Sequence, residues 1–441
     1  MYCPICQQEY PHLFHHFDTE LDTPILEKLQ EELPHWQPAQ GACSRCVDQA
    51  QIAAWSALET LPLYSSIDDY QILPLAKRLG LQSDYTGKGI GICFIDSGFY
   101  PHPDIKNRIL WIEDLANEEP YSPLLPEANS WHGTMTTVVG SGDGTLSKGT
   151  YSGLAPAAQL VLLKVADEQG KISGQNIAKA IHWAIDHQKQ YKIRILNLSV
   201  TDDWATSYRI NAVDQAIQKA HQAGIVVIVA AGNDEQALVK APANSPHAIT
   251  IGGLDDHNTL HPIGNTWYPS TFGVTVDGFQ KPDLIAPAIW IPAPVLPMSK
   301  AHAEAQVLFE LVNTVEHQYL KAKFANAAAK LGMNPQLVHY PIEQIRTLLL
   351  EEIARRKLIT PHYQHADGTS FAAPIVSGIV AQMLEINPKL TPTKVKEMLC
   401  QTARKLPNVP AERQGAGVVH PVHALKIARN TFKPKVSIFF F

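Results

Sequence analysis

Four polar residues stand where chemistry is easiest to build. Asp96 ends the apolar run GICFIDSG, His132 opens HGTMTTVVGSG, Asn233 follows GIVVIVAAG, and Ser370 opens SFAAPIVSG. A serine hydroxyl is a weak nucleophile until a base takes its proton. Histidine is the base whose pKa lies near neutrality. A carboxylate on its other ring nitrogen fixes the tautomer and stabilises the imidazolium. An asparagine amide can donate to the oxyanion of a tetrahedral intermediate, a contribution typically worth about 3–4 kcal/mol. A helix N-terminus at Ser370 adds free N–H groups that favour negative charge. The set predicts acyl transfer by Asp96, His132 and Ser370, with Asn233 as oxyanion donor.

Each residue also has an ordinary structural use. Asp96 before Ser-Gly and Asn233 after Gly both suit turns. His132 suits a helix start or a satisfied core position, and Ser370 suits a helix cap. Four separate structural uses are less economical than one site.

The elements that must position these residues follow from periodicity. GIGICFIDSG, AQLVLLKVAD, IRILNLSVT, GIVVIVAAGND and AITIGGLD read as buried strands. Between them, SGQNIAKAIHWAIDHQKQ and INAVDQAIQKAHQAG read as amphipathic helices. Strands alternating with helices predict an α/β protein with a parallel sheet covered on both faces. Functional groups then gather at the carboxyl ends of the strands, where Asp96 and Asn233 fall.

The domain pattern runs over residues 73–441 and is interrupted at 289–364. That segment opens with the Pro-rich IPAPVLPM. Val307, Leu311, Val315 and Tyr319 then recur every four residues, and Ile342, Ile345, Leu349 and Ile353 mark a second stripe. Gly332 is a stop signal, and Pro341 suits a first helical position. The spacing predicts a helical hairpin that leaves the domain and returns just before Ser370.

Residues 1–72 form a separate region. It holds CPIC, a helix candidate around Thr23–Leu33, CSRC and a second helical stretch. Cys3, Cys6, Cys43 and Cys46 make two Cys-x-x-Cys pairs, with 36 residues between Cys6 and Cys43. Two such tight turns supply the four thiolates of a tetrahedral zinc site. Neither pair follows a strand in a βαβ unit, which argues against a redox motif. The expected module is zinc-ribbon-like, with structural Zn2+ as cofactor.

Bulk properties narrow the partners. The chain has 441 residues, 45% of them hydrophobic, and a net charge of -6. That balance gives no electrostatic footprint for nucleic acid or an anionic membrane. The longest apolar run falls short of a membrane span. MYCPICQQEY lacks the basic and apolar regions of a signal peptide, so a cytoplasmic location is expected.

The motifs resemble those of the subtilisin family of serine peptidases. TGKGIGICFIDSG is similar to its Asp motif, HGTMTTVVG to its His motif, AAGN to its oxyanion motif and GTSFAAP to its Ser motif. The Asp, His, Ser order is the family's order. GLAPAAQLVLLKV, KPDLIAPA and GAGVVHPVHAL fall in matching places, so the resemblance covers about residues 73–288 and 365–430. It implies a three-layer fold around a mostly parallel seven-stranded sheet, and hydrolysis of polypeptides through an acyl-enzyme. It also implies the roles of Asp96, His132, Ser370 and Asn233.

Departures accompany it. The strand that ends Ser-Leu-Gly-Gly in the family reads Ser199-Val200-Thr201-Asp202, and LVKAPAN places Lys240 where a small residue is common. These five residues are the expected substrate-binding set, in a polar specificity pocket. A short Cys-rich region stands where the family has a longer folding pro-domain. Calcium sites are frequent in the family, but no complete ligand set maps here, so calcium stays open. The expected function is an intracellular serine endopeptidase, regulated or selective. A protein partner would dock through the zinc module or the helical insertion. The rival expectation is an inactive adaptor that docks partners through the zinc module, against which the intact set of four argues.

Overall fold

The structure is a computed structural model, and it describes residues 1–9, 13, 15, 23–43, 46–47, 50, 72–117, 126, 128–202, 204–260, 264–407 and 409–432. The second helical stretch expected after Cys46 lies almost wholly outside these residues, as does the tail 433–441.

The central sheet is built from runs that are apolar on both faces. β1 (Gly91–Asp96), β2 (Ile109–Asp114), β3 (Gln159–Lys164), β4 (Ile193–Leu198), β5 (Val226–Ala230) and β6 (Ile249–Asp255) belong to it. The short β7 (Thr266–Trp267) pairs antiparallel on β6. A two-stranded ribbon, β8 (Gly273–Val274) and β9 (Gln280–Lys281), precedes β10 (Leu284–Pro287). The sheet order is β10-β6-β5-β4-β1-β3-β2, all parallel. The seven-stranded parallel sheet is therefore as expected, with β7 added at one side. β2 and β10 were not read as strands from the sequence. β2 is an edge strand with Leu110 and Trp111 exposed, so its alternation is weak.

Side chains alternate between two cores, as the two-residue period of a strand requires. Ile92, Phe94, Leu160, Leu162, Val226 and Ile228 face one side. Cys93, Ile95, Val161, Leu163, Val227 and Val229 face the other. In chain order the longer helices are α1 (Thr23–Glu32), α2 (Ser130–Ser141), α3 (Gly174–Asp186) and α4 (Ala212–Gln222). α3 and α4 cover the second face with Ile177, Ala180, Ile181 and Ala184, and with Val213, Ala216, Ile217 and Ala220. Both stripes have the i, i+3, i+4, i+7 spacing of one helix face. Ser173 caps α3 and Asn211 caps α4 through their side-chain oxygens.

The first face is covered by α2 and, later in the chain, by α8 (Thr369–Ile386), α9 (Pro392–Thr402) and α10 (Pro421–Thr431). α8 is the one helix, among the described residues, long and apolar enough to cross a membrane. It is buried in this fold at every residue but Glu385, so the core of the sheet accounts for its apolar character.

The insertion differs from the expected hairpin. It contains three helices, α5 (Lys300–Val312), α6 (His317–Ala327) and α7 (Ile342–Arg355). It also contains an antiparallel sheet of β11 (Ile291–Pro294), β12 (Leu358–Thr360) and β13 (Tyr363–Ala366), ordered β11-β13-β12. The Pro-rich opening is strand β11. The stripe from Val307 to Tyr319 is broken because α5 ends at Val312 and α6 begins at His317, which leaves Val315 between the two helices and Tyr319 on the second. α5 ends at Val312, where Arg346 donates to the carbonyls of Val312, Thr314 and Val315. Val315 and Tyr319 are exposed, at 81% and 57%.

The second stripe is as read. Ile345, Leu349 and Ile353 pack with Leu308, Phe309, Leu320 and Phe324 in a core of the insertion's own. Pro341 precedes α7 as its N-cap residue rather than opening it. Ile72 packs on the root of the insertion, against Ile289, Trp290, Ile359 and Tyr363.

Truncating Leu349 tests how separate this core is. Leu349→Ala should cost about 2–5 kcal/mol. Amide hydrogen exchange should speed up across α5–α7 and leave β1, β4 and β5 protected. Equal acceleration everywhere would show one cooperative unit instead.

Candidate active site

The site residues collect where the sheet order reverses. β1 pairs with β3 on one side and β4 on the other, and a crevice outside the carboxyl ends opens at such a point. Asp96 ends β1, Ser199 directly follows β4, and Asn233 lies three residues past β5.

Asp96 is 1% exposed and fully engaged. Its Oδ1 accepts from His132 Nδ1 at 2.7 Å, from the Ser97 N–H at 2.7 Å and from Ser97 Oγ at 3.3 Å. Its Oδ2 accepts from Thr136 Oγ1 at 3.1 Å, one turn along α2 from His132. A carboxylate on Nδ1 makes that nitrogen the donor, so Nε2 carries the lone pair. The imidazole stands edge-on to Trp131, ring centroids 5.2 Å apart, and tilted to Phe371 at 6.0 Å. The Phe371 contact sets His132 beside the start of α8. Gly133 makes this approach possible: a Cβ there would lie 2.3 Å from the Gly98 carbonyl oxygen and 2.9 Å from the Asp96 Cβ.

Ser370 is the second residue of α8 and is buried at 3% exposure. Its Oγ has no hydrogen-bond partner among the described residues. Its carbonyl has an unusual one. Pro374 lies inside α8 and has no N–H to offer the carbonyl four residues earlier. That carbonyl is Ser370's, and the Ser199 hydroxyl donates to it at 2.9 Å. Asn197 Nδ2 in turn donates to Ser199 Oγ at 3.3 Å, and Ser377 Oγ donates to Asn197 Oδ1 at 2.8 Å.

Asn233 is oriented by the residue before Ser370. Its Oδ1 accepts the Thr369 N–H at 2.8 Å and Thr369 Oγ1 at 3.1 Å. With Oδ1 so used, Nδ2 is the end of the amide left to donate toward a ligand.

Of the expected pocket residues, Ser199 and Val200 are buried, at 1% and 3%. Thr201, Asp202 and Lys240 are partly exposed. The structure brings Thr201 and Asp202 beside the segment after Lys240. The Asp202 N–H donates to the Ala241 carbonyl at 2.8 Å, and Thr201 Oγ1 donates to it at 3.2 Å. The Asp202 carboxylate accepts from Asn211 Nδ2 at 2.8 Å. Sequence reasoning did not find Thr136, Thr369 or the Ser199–Ser370 bond. The Pro four residues after Ser370 was the signal for the last, since it orphans that carbonyl.

The four cysteines converge in the N-terminal region. Cys3 Sγ lies 3.8 Å from Cys46 Sγ, Cys6 Sγ lies 3.6 Å from Cys43 Sγ, and all four sulfurs are within 4.8 Å of one another. The Cys43 N–H points at Cys3 Sγ, 3.4 Å away. Leu29, Trp36, Ala42 and Val47 pack around them.

The subtilase family model matches residues 87–417. The chain belongs to the subtilase family. Among its relatives, serine protease AprX of Bacillus subtilis (strain 168) is 31% identical over 346 residues, which is 76% of this chain and 66% of that protein. Subtilisin-like protease 11 of Trichophyton verrucosum (strain HKI 0517) is 34% identical over 282 residues, 59% of this chain and 66% of that one. The chain thus spans just under two thirds of either subtilase's length. In fold it is similar to fervidolysin from Fervidobacterium pennivorans, described as a keratinolytic enzyme related to subtilisin. That likeness has a TM-score of 0.55 at 21% identity and covers 84% of this chain and 49% of that one. The protease domain of PatA gives a TM-score of 0.51 at 19% identity, over 80% of this chain and all of that domain.

The Ser199 bond can be tested in this subtilase by itself. Ser199→Ala leaves a buried carbonyl without its donor, expected to cost about 1–3 kcal/mol. The urea midpoint should fall accordingly. A midpoint equal to wild type would show that water replaces the hydroxyl.

Proposed function

We propose that the chain is a serine endopeptidase that cleaves polypeptides through an acyl-enzyme. The observation that carries this is the 2.7 Å contact between buried Asp96 and His132, at the sheet end where α8 presents Ser370. Ser370 Oγ attacks the scissile carbonyl while His132 Nε2 takes its proton. His132 then returns that proton to the leaving amine, and the same base activates the water that releases the acyl group. Asp96 holds the tautomer and stabilises the imidazolium. Asn233 Nδ2 and the first N–H groups of α8 bind the oxyanion. Thr201, Asp202 and Lys240 form part of the substrate cleft.

Ser370→Ala or His132→Ala should lower kcat by roughly 10⁶-fold, a size taken over from subtilisin, and Asp96→Ala by less. Peptide hydrolysis and labelling by a fluorophosphonate check this together. Turnover near wild type in purified Ser370→Ala would remove the mechanism. Normal folding with no turnover in the wild type would favour the adaptor reading.

We also propose that Cys3, Cys6, Cys43 and Cys46 hold one structural zinc ion. The residues fit it: thiolates about 2.3 Å from a tetrahedral zinc lie about 3.8 Å apart, which compares with the observed 3.8 and 3.6 Å. When bound, zinc would tie the two Cys-x-x-Cys turns together and supply folding free energy to the module. Unpaired thiols of this kind fit a reducing, intracellular location. Protein purified without chelator should contain about one zinc per chain, and Cys43→Ser should lose it and loosen the module. Full retention of zinc by Cys43→Ser, or none in the wild type, would overturn the assignment.

A further inference from the structure

The turn that delivers Ser370 to α8 is held from inside the insertion. Asp367, three residues before Ser370, is buried at 6% exposure. Its Oδ2 accepts from Lys357 Nζ at 2.5 Å, and its Oδ1 accepts the Trp290 N–H at 2.9 Å. Lys357 is itself 2% exposed and lies between α7 and β12. The next residue, Gly368, has φ +131° and ψ 154°, a conformation essentially reserved to glycine. Its N–H donates to the Ala288 carbonyl at 2.6 Å. A Cβ at Gly368 would lie 3.4 Å from Asn233 Nδ2, and the Thr369 N–H holds Asn233 Oδ1.

One short turn therefore sets both the serine and the oxyanion amide. Three groups fix that turn, and all come from the insertion or its root. Ala288 and Trp290 sit where the chain leaves the domain, and Lys357 sits where it returns. Arg78 secures the departing side by donating to the carbonyls of Ile289 and Trp290, at 2.8 and 2.7 Å, and to both oxygens of Asp256. His365 lies tilted against Trp290, ring centroids 4.8 Å apart, and both are buried.

We propose that Lys357 is a positioning residue for catalysis. Its ammonium neutralises Asp367, and Asp367 holds the strained Gly368 turn that aims Ser370 and Asn233. The proposal rests on the reading of Ser370 as nucleophile. A buried ion pair is often replaceable by neutral groups with little loss of stability, whereas removing one partner strands the other charge. Lys357→Met strands the Asp367 carboxylate beside the turn, and the turn must shift to solvate it. A displacement of about 1 Å at a reacting group costs on the order of 10²-fold in rate.

The test is saturation labelling by a small fluorophosphonate, normalised to the protein labelled at completion. The covalent rate constant of Lys357→Met should fall by about 10²-fold while the half-saturating probe concentration stays the same. Lys357→Met with Asp367→Asn removes both charges and keeps an acceptor for the Trp290 N–H, so it should recover most of the rate. A purely structural role would lower the melting temperature and the labelled fraction, and leave the normalised rate unmoved. Should Lys357→Met not fold, Lys357→Gln keeps a donor without the charge and should show an intermediate rate. A wild-type rate in the folded single variant, or a double variant no faster than Lys357→Met, overturns the proposal. Ser370→Ala is the control: if it labels like wild type, the nucleophile assignment has failed instead.

Discussion

Proline at position 374 removes one hydrogen bond from the central helix α8, and much of the site follows from how it is replaced. The orphaned carbonyl belongs to Ser370, and its donor is Ser199, at the end of β4. Ser199 is itself bonded to Asn197, and Asn197 to Ser377. Ser370 and Ser377 are seven residues apart and so share a helix face. The carboxyl end of β4 is thereby joined to α8 at two points by buried polar groups on an otherwise apolar interface. With an unbroken ladder the Ser370 carbonyl would not need the Ser199 contact. Hydrogen bonds with direction fix the start of the helix, where hydrophobic packing alone fixes only its distance from the sheet.

Three buried ion pairs lie at the same edge of the sheet, while Lys281 and Asp283 pair at the opposite end, just before β10. Asp114 pairs with Lys164 at the ends of β2 and β3, Arg78 with Asp256 just past β6, and Lys357 with Asp367 before α8. Buried ion pairs contribute little net stability. Their second task explains their place. Asp114 accepts N–H groups of Ala116 and Asn117, Arg78 serves two carbonyls, and Asp367 accepts from Trp290. Beyond the strand ends the backbone leaves its ladder, and its buried N–H and C=O groups need partners. Charged side chains supply them where the chain turns too irregularly for backbone pairing.

These two arrangements explain what could be read from the sequence. The strands and the helices of the second face were legible because apolar alternation and helical stripes are local properties. Asp96, His132, Asn233 and Ser370 were legible because each stands at a boundary between an apolar run and a polar turn. β2 was not, because an edge strand carries exposed apolar residues such as Trp111. The path of the insertion was misread where a repeat of four ran across two helices, α5 and α6, and Arg346 of α7 bonds the carbonyls between them. Ser199 was read only as a pocket residue, and Thr136 and Lys357 were not read at all, for a different reason. Their partners lie 171, 40 and 10 residues away, and the fold brings them together.

The insertion has two parts with different physics. Its helices bury Leu308, Phe324, Leu349 and their neighbours against one another, in a cluster separate from both sheet cores. Such a unit can open without the sheet opening. Its root has no such independence. Ile72, Ile289, Trp290, Ile359 and Tyr363 form one cluster across the entry and exit strands, and Ala288, Trp290 and Lys357 all bond to the turn before Ser370. The helices can therefore vary in sequence and packing with little effect on the site, so long as β11 and β13 stay paired. The root cannot, because displacing any of its three contacts moves the backbone that sets Gly368. A long insertion that ends six residues before Ser370 is tolerable because the antiparallel β11–β13 pairing closes it at its base.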